Sequence, residues 1–394
     1  MLYGFQLGRE FKLSIAELFA VFPDMEVIYS AKSIMIVDGL NDEEIMRKTS
    51  ILGGTIKIFE LKMFVDIDSI LYHIAEIGKR YDSKFNYGLN IFGEEKLRLA
   101  KMLMNTKRHL KGEGISSRFV NKNDVNLSSA QILGNSLMKK GVDFNIVDLG
   151  GVYYFGRTVW VQDIDAYSAR DYGKSRDMDI GMLPPKLSQM MINISRGENN
   201  EIKSLYDPFV GLGTILIEGA VMGIKNLFGS DFNPKMVQES KSNLGNLKSK
   251  FSGLNIEIIE ADARDTESNS ILKNNKIDSI ITEGFLGEVM TQKNINSDRI
   301  DIQKNNLSKL YTKFFSGLKS VGFEGNIVIS FPFWDVKGKY IFFEEIYEIL
   351  EDYCEVLPLF PTEFDFSETK SGSLLYKRQK QLVGREVFKL KIKS

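Results

Sequence analysis

The 394-residue sequence holds a single cysteine, Cys354, and only two histidines, His73 and His109. A disulfide within the chain is excluded, and a structural zinc site would have to be built almost without thiolates. With the histidines far apart in sequence, His-based metal or triad chemistry is not expected, and no metal is assigned. Charge of one sign is lacking too: 51 Lys plus Arg stand against 52 Asp plus Glu, a net charge of −1. That balance argues against a strongly cationic nucleic-acid binder, but it leaves room for a local phosphate-binding patch. No stretch is long and apolar enough to span a bilayer, so no membrane partner is expected. Arg9 and Glu10 interrupt the apolar core that a signal peptide would need. Internal repeats and low-complexity segments are absent, and a reducing cytoplasm is the expected setting. Cys354, with nothing basic flanking it to activate the thiol, reads as a small buried apolar residue.

What is present is the composition of a soluble globular protein, 43% hydrophobic and 26% charged, at a length that calls for two or three domains. The expected divisions are 1–61, 62–162 and 163–394. The first reads strand, helix, strand, strand, helix, strand. An extended run over 2–7 closes at Gly8. A helix follows, opened by a Ser14-Ile15-Ala16-Glu17 capping box, with Ile15, Leu18, Phe19 and Phe22 at helical spacing and Pro23 as its stop. Strands at 26–29 and 33–37, a helix over 42–49 and a strand over 55–61 complete an order that suits a ferredoxin-like α+β layer.

Segment 62–162 reads as a second α/β unit. Its helix over 94–111 buries Leu97, Ala100, Leu103, Met104 and Leu110, and turns Lys96, Arg98, Lys101, Lys107, Arg108 and Lys111 largely to other faces. Such a charge run is ordinarily a solvated helix face. The sharper reading is that Lys107, Arg108 and Lys111, with Arg118 and Lys122, contact nucleic-acid phosphates. A helix capped by Ser128 or Asn126 is expected to run to Gly141, with strands at 143–149 and 151–161.

From about residue 163 strands and helices alternate, the pattern of a doubly wound parallel sheet covered on both faces. Strands are expected at 202–206, 226–230, 255–259, 277–282 and 325–330, with helices at 214–222, 234–251 and 307–318. Two last extended runs, 374–377 and 386–392, flank Gly384 and predict an antiparallel hairpin.

The first of these strands leads into Asp207-Pro208-Phe209-Val210-Gly211-Leu212-Gly213-Thr214. Glycine at 211 and 213 permits positive φ and lets a ligand approach without meeting a Cβ, and the helix start behind the turn favours negative groups. Asp231 closes the next strand about 20 residues on, where an acid can accept both hydroxyls of a ribose; alternatively it caps the helix begun by Asn233-Pro234. Ala261-Asp262-Ala263 closes the third, placing Asp262 to accept from an adenine amino group and Ala263 beside it. Position 216 is Leu rather than a third glycine, which favours a nucleoside over a dinucleotide.

These residues support a family resemblance. Asp207-Pro208-Phe209-x-Gly211-x-Gly213-Thr214-Ile215-Leu216-Ile217-Glu218 resembles the cofactor motif of class I RNA amino-methyltransferases. The likeness is greatest to the family that methylates the exocyclic amine of guanosine 10 in tRNA, which joins a THUMP module to its catalytic domain. Arg170-Asp171-Tyr172 and Gly181-Met182-Leu183-Pro184-Pro185-Lys186-Leu187 are similar to the family's lead-in helix over the cofactor, with Leu183 against it. Gly4-Phe5-x-Leu7-Gly8-Arg9 and Leu13-Ser14-x-Ala16-Glu17-Leu18 resemble its opening, and Arg118-Phe119-Val120 with Leu127-Ser128-Ser129-Ala130 its THUMP region. The resemblance implies a Rossmann-like domain that takes S-adenosyl-L-methionine through Asp207, Phe209, Gly211, Gly213, Thr214, Asp231, Asp262 and Ala263, and a tRNA partner for the RNA-binding module.

At the end of the fourth strand the family carries Asp-Pro-Pro and an aromatic, whereas this chain has Thr282-Glu283-Gly284-Phe285-Leu286-Gly287. An exocyclic base amine is a poor nucleophile until a carboxylate and a carbonyl accept its hydrogens and free the lone pair. Glu283 can serve as that acceptor and Phe285 can stack on the base, although an acid here could also merely pair with a cation. Without the prolines the loop is expected to be more mobile. Phe331-Pro332-Phe333-Trp334, after the fifth strand, reads first as a core or lid cluster and second as a base-stacking rim. The competing functions are amine methylation of DNA or ribosomal RNA, or RNA binding by a domain that has lost turnover.

Overall fold

The computed structural model describes residues 1–93, 97–122, 125–172, 183–197, 201–248, 251–364, 366 and 368–393. Lys96, Gly181 and Met182 lie outside them. The chain forms two compact units: residues 1–15, 24–50 and 54–168 make the first, and 16–23, 51–53 and 169–394 the second.

The N-terminal elements are β1 (Leu2–Leu7), α1 (Phe11–Val21), β2 (Glu26–Ala31), β3 (Ile34–Asp38), α2 (Asp42–Lys48), β4 (Thr55–Phe64), α3 (Ile67–Gly78), β5 (Phe85–Gly93), α4 (Leu99–Gly112), β6 (Ser117–Phe119), α5 (Ser129–Gly134), β7 (Gly141–Asp148) and β8 (Tyr153–Val161). All eight strands share one sheet, in the order β2-β3-β1-β4-β8-β7-β5-β6. Its first four strands are antiparallel, in the ferredoxin-like arrangement. The sheet does not stop there: β8 pairs along β4, so the expected first and second segments share one ladder. Strand β5 lies parallel to both β7 and β6, which leaves β6 at the edge.

Three local expectations are corrected. Ser14 is inside α1 and not its cap; its hydroxyl donates to Glu10 O and to Gly54 O, at 3.1 and 3.0 Å. Glu17 accepts instead from Gly53 N and Asn193 Nδ2, both at 2.8 Å. Buried polar side chains find partners wherever tertiary packing supplies them, and here that outweighs the local capping pattern. Helix α4 is assigned only from Leu99, later than its charge and apolar spacing suggested. Helix α5 does carry the Ser128 cap, in a reciprocal box with Gln131, but it ends at Gly134, and Gly141 opens a strand.

Inside this sheet Lys57 of β4 meets Asp143 of β7 at 2.8 Å, with both side chains wholly excluded from solvent. Asp143 also accepts from Thr158 Oγ1 at 2.6 Å and Asn90 Nδ2 at 2.8 Å. Burial pulls the Lys57 pKa down, and the facing carboxylate opposes that.

The remaining elements are α6 (Ile164–Tyr172), α7 (Pro185–Ile194), β9 (Ser204–Asp207), α8 (Thr214–Val221), β10 (Asn226–Asp231), α9 (Pro234–Lys248), β11 (Asn255–Glu260), α10 (Ser270–Asn274), β12 (Ser279–Thr282), α11 (Ser297–Ser320), β13 (Asn326–Val336), β14 (Lys339–Phe342), α12 (Glu345–Tyr353), β15 (Cys354–Leu357), β16 (Leu374–Tyr376) and β17 (Val383–Ile392). The second sheet runs β11-β10-β9-β12-β13-β17-β15, with β14 on β13 and β16 on β17. Its first five strands are parallel, and β17, β15 and β16 are antiparallel additions. This is a Rossmann-like sheet whose order reverses between β9 and β12, the place where open α/β sheets bind ligands. Helix α11 starts on an Asn296 cap well before the expected residue 307. Strand β13 runs on to Val336, so Phe331, Phe333 and Trp334 are core residues and not a rim. Cys354 is buried, its thiol pushed up to about 12 by burial. Among the described residues no helix is long and apolar enough to cross a membrane.

Removing one member of a dry ion pair strands the other charge, at a cost of about 3–5 kcal/mol. Lys57→Met should therefore lower the unfolding free energy by about that much in urea denaturation. A loss below about 1 kcal/mol, the range of a surface pair, would show that the pair carries little.

Candidate active site

The site begins with the turn after β9. Gly211 has φ +49° and Gly213 φ +82°. At Gly213 an added Cβ would also lie 2.9 Å from Leu244 Cδ1, whereas at Gly211 it would meet only Phe209 O at 3.9 Å. One glycine is thus fixed by packing, while the other keeps an open backbone surface. Gly213 is the N-cap of α8 and offers no capping side chain, and Thr214 is the first residue of the helix.

Two carboxylates shape the turn. Asp231, at the end of β10, accepts from Gly211 N through Oδ2 and from Asn233 N through Oδ1, each at 3.0 Å. Asn233 in turn accepts from Lys235 N, so the start of α9 has its own cap and Asp231 also braces the glycine turn. Burial raises the Asp231 pKa against these two amides. Asp207 is buried and accepts from Phe209 N at 3.1 Å. Burial pushes its pKa up to about 7, opposed by a Thr282 hydrogen bond and reinforced by the negative charge of Asp231 and Glu283.

A cavity of about 210 Å³ opens beside this turn, lined by Pro208, Phe209, Phe232, Asp262, Ala263, Arg264, Phe285, Asn306 and Leu310. That is smaller than the roughly 300–1,000 Å³ of a complete small-molecule site, a volume for the ring-bearing part of a nucleoside. Phe232, 65% exposed, and Phe285, 41% exposed, stand at its walls. Asp262 reaches the cavity, but its carboxylate is held by Arg264 at 2.5 Å, which keeps its pKa low. A larger hollow, about 910 Å³, lies among Lys276, Asp278, Glu324 and Lys389 at the amino ends of β12 and β13. The glycine turn and the amino end of α8 are at the other end of the strands, and that end is where the chemistry collects.

The structure therefore gathers Asp207, Phe209, Gly211, Gly213, Thr214, Asp231, Asp262, Ala263 and Phe285 at the carboxyl ends of β9 to β12. Leu183 is buried just before α7 and does not line the cavity. Arg170 of the lead-in helix pairs at 3.0 Å with Glu218, the last residue of the glycine motif, which also accepts from Gln189 Nε2 at 2.9 Å. Glu283, its side chain 18% exposed, is ion-paired to Arg385 of β17. The loop that follows lacks prolines but is fastened: Ser330 Oγ donates to Glu283 O at 2.6 Å, Tyr311 OH to Phe285 O at 2.9 Å, and Glu288 N to Gln303 Oε1 at 3.0 Å. Gly284 has φ +71°, and a Cβ there would lie 2.6 Å from Tyr311 OH. Proline cannot adopt that conformation, so its loss comes with a different turn.

Sequence reading missed Phe232, Arg264, Tyr311 and Arg385. Phe232 follows β10 directly and Arg264 lies four residues after β11, so both were findable; the others reach the site only through the fold.

The chain is similar to several known proteins. Residues 173–332 match the UPF0020 family model, described as an RMKL-like methyltransferase domain. That stretch is thus similar to a methyltransferase domain. A Pyrococcus abyssi protein named tRNA (guanine(10)-N2)-dimethyltransferase is 25% identical over 214 residues, 51% of this chain and 57% of that protein. One of the same name from Methanothermobacter thermautotrophicus is 29% identical over 148 residues, 38% of each chain. The chain thus spans little more than half the length of the first curated relative, and less of the second. In structure, TrmN from Thermus thermophilus aligns over 100% of this chain and 99% of its own at a TM-score of 0.53 and 14% identity, a likeness of fold.

The cations Lys107, Arg108, Lys111, Arg118 and Lys122 are all exposed, on α4, on the edge strand β6 and just beyond it. Lys107 Nζ lies 5.6 Å from the Phe119 ring centre.

The folded state holds the Asp207 proton up to about 7, whereas an unperturbed Asp releases it near 3.8. Between those values the folded chain binds more protons than the unfolded one, so this residue makes stability fall as pH rises, with no further change above the upper value. Asp207→Asn should flatten that fall, gaining relative to wild type from pH 4 to 7 in denaturant titrations. An unchanged difference across that range would show that Asp207 titrates normally.

Proposed function

We propose that the chain transfers a methyl group from S-adenosyl-L-methionine to the exocyclic N2 amine of a guanosine in tRNA, at position 10 as in the relatives' names. The observation that carries the reading is the strand end after β12: an exposed aromatic, Phe285, lines the cavity beside the glycine turn, and an acid, Glu283, lies two residues before it in the same loop.

The residues present fit the donor. The space over Gly211 admits a ligand close to the main chain, the amino end of α8 suits a carboxylate, Asp231 beside the turn suits ribose hydroxyls, and the aromatic-walled cavity suits a purine. When bound, the donor supplies an electrophilic methyl on a positively charged sulfur. Asp262, now held by Arg264, is the residue that would accept from the adenine amino group. Glu283 accepts a hydrogen of the target amine and holds the nitrogen lone pair in line, and Phe285 stacks on a base drawn out of its helix. The exposed cations of α4 and β6 take the RNA backbone in a THUMP-like module spanning 62–162, by shape and phosphates.

Labelled donor incubated with separate tRNA, ribosomal RNA and DNA tests the reading, with nucleoside mass spectrometry locating the product. Transfer to tRNA guanosine is expected, abolished when nucleotide 10 is changed. Transfer to ribosomal RNA or DNA alone would move the reading to those substrates, and donor binding without product on any of them would leave an RNA-binding protein without turnover. Glu283→Ala should lower transfer by roughly 10²–10⁴-fold while donor binding persists; full transfer would remove Glu283 from the reaction. Reversing Lys107, Arg108 and Lys111 should weaken tRNA binding and reduce its salt slope by roughly one for each phosphate no longer bound. Unchanged binding would take the phosphates off this face.

A further inference from the structure

Glu283 follows β12 directly, but its carboxylate is oriented from β17. Arg385, 102 positions along the chain, donates through Nε to Glu283 Oε1, and its own side chain is only 3% exposed. Arg385 is itself immobilised. It pairs with Pro332 in the β13 ladder and with Tyr376 in the β16 ladder. Its guanidinium lies 5.8 Å from the Tyr376 ring centre, and its NH1 donates to Gln381 Oε1 at 3.5 Å. Arg378 adds a second positive charge acting on Glu283, and the buried Asp207 of β9 and Tyr311 of α11 are the titratable groups that feel its charge from the neighbouring elements. Among the described residues Glu283 Oε2 takes part in no hydrogen bond. The carboxylate therefore has one oxygen committed and one available.

The main chain beneath it is fixed as firmly. Ser330 Oγ holds Glu283 O, and Tyr311 OH holds Phe285 O. Between them the Gly284 carbonyl accepts no hydrogen bond among the described residues. An amine with two hydrogens needs two acceptors, and Glu283 Oε2 and Gly284 O are two unengaged acceptors on adjacent residues.

We propose that Arg385 is a positioning residue for methyl transfer: it clamps Oε1 of Glu283 so that Oε2 stays ionised and aimed at the target amine. The inference rests on the amine-methylation reading. Burial by itself favours a protonated Glu283, and a protonated carboxyl cannot accept as an anion; the guanidinium opposes that preference. The clamp also takes over the positioning that a proline-stiffened loop would give.

The test uses the full chain with Arg385→Gln and Arg385→Lys. Three quantities are followed: donor affinity by calorimetry, the pH profile of transfer to tRNA, and the Glu283 titration in protein carrying carboxyl-¹³C glutamate, assigned by its absence in Glu283→Gln. In Arg385→Gln the Glu283 midpoint and the acid limb of the profile should both move up by about one unit or more, with kcat down roughly 10–100-fold and donor affinity retained. Arg385→Lys keeps the charge without the planar fork, so it should restore the acid limb while kcat stays low. Should Arg385→Gln fail to fold, the Lys variant decides: wild-type kcat there overturns the clamp. An active wild type whose titration and acid limb ignore Arg385→Gln overturns this proposal alone. A wild type that transfers no methyl to any nucleic acid overturns the functional reading beneath it.

Discussion

Asp207, Asp231 and Glu283 bring three carboxylates to the ends of neighbouring parallel strands, and the site is organised around containing that charge. Each is handled differently. Asp207 is buried deeply enough to hold its proton to about 7, with Thr282 and Phe209 N as partners. Asp231 spreads its charge onto two backbone amides and thereby braces the glycine turn. Glu283 is matched by the guanidinium of Arg385. Like charges in a partly dry site cannot all stay ionised unaided, and here one keeps its proton, one is bonded to amides and one is matched by a cation.

The sheet makes that possible by joining two kinds of strand. The parallel strands deliver short turns at one end, where helix starts and glycine backbones can face a ligand. The antiparallel β17 then lies along β13 over eight paired positions, from Ile327↔Leu390 to Trp334↔Val383, and carries Arg385 to the neighbouring strand end. A side chain on a central, doubly paired strand is held to a narrow range of positions, which is what a clamp needs and what a loop would not give. The same β13 extension withdraws Phe331, Phe333 and Trp334 into the core, so the aromatic contribution to the cavity comes from Phe209, Phe232 and Phe285.

The first unit solves a different problem with a related device. Its eight-stranded sheet buries Lys57 against Asp143, with Asn90 and Thr158 completing the acceptor's bonds. A paired and fully bonded charge is tolerated in a dry interior where a single one is not. Since β4 and β7 come from the two segments that the sequence suggested were separate, this pair also ties those segments into one sheet register. Its exposed cations sit at the far edge of the same sheet, on β6 and the helix packed by it.

Features with short-range causes were legible in the residues themselves. Strand–glycine–helix spacing around Asp207 to Thr214, acids at the ends of β10 and β11, the alternation of a parallel sheet and the closing hairpin all follow from periodicity and turn chemistry within a few residues. The Ser128 cap was readable for the same reason, and the Ser14 cap was misread because its hydroxyl and Glu17 found partners far along the chain. Folding in three dimensions settled that β4 and β8 pair, that Gly284 takes a left-handed turn beneath Tyr311, and that Arg385 closes on Glu283. Those pairings join residues separated by tens to a hundred positions, and no local propensity encodes them; they exist because a sheet, once closed, leaves each buried charge few partners within reach.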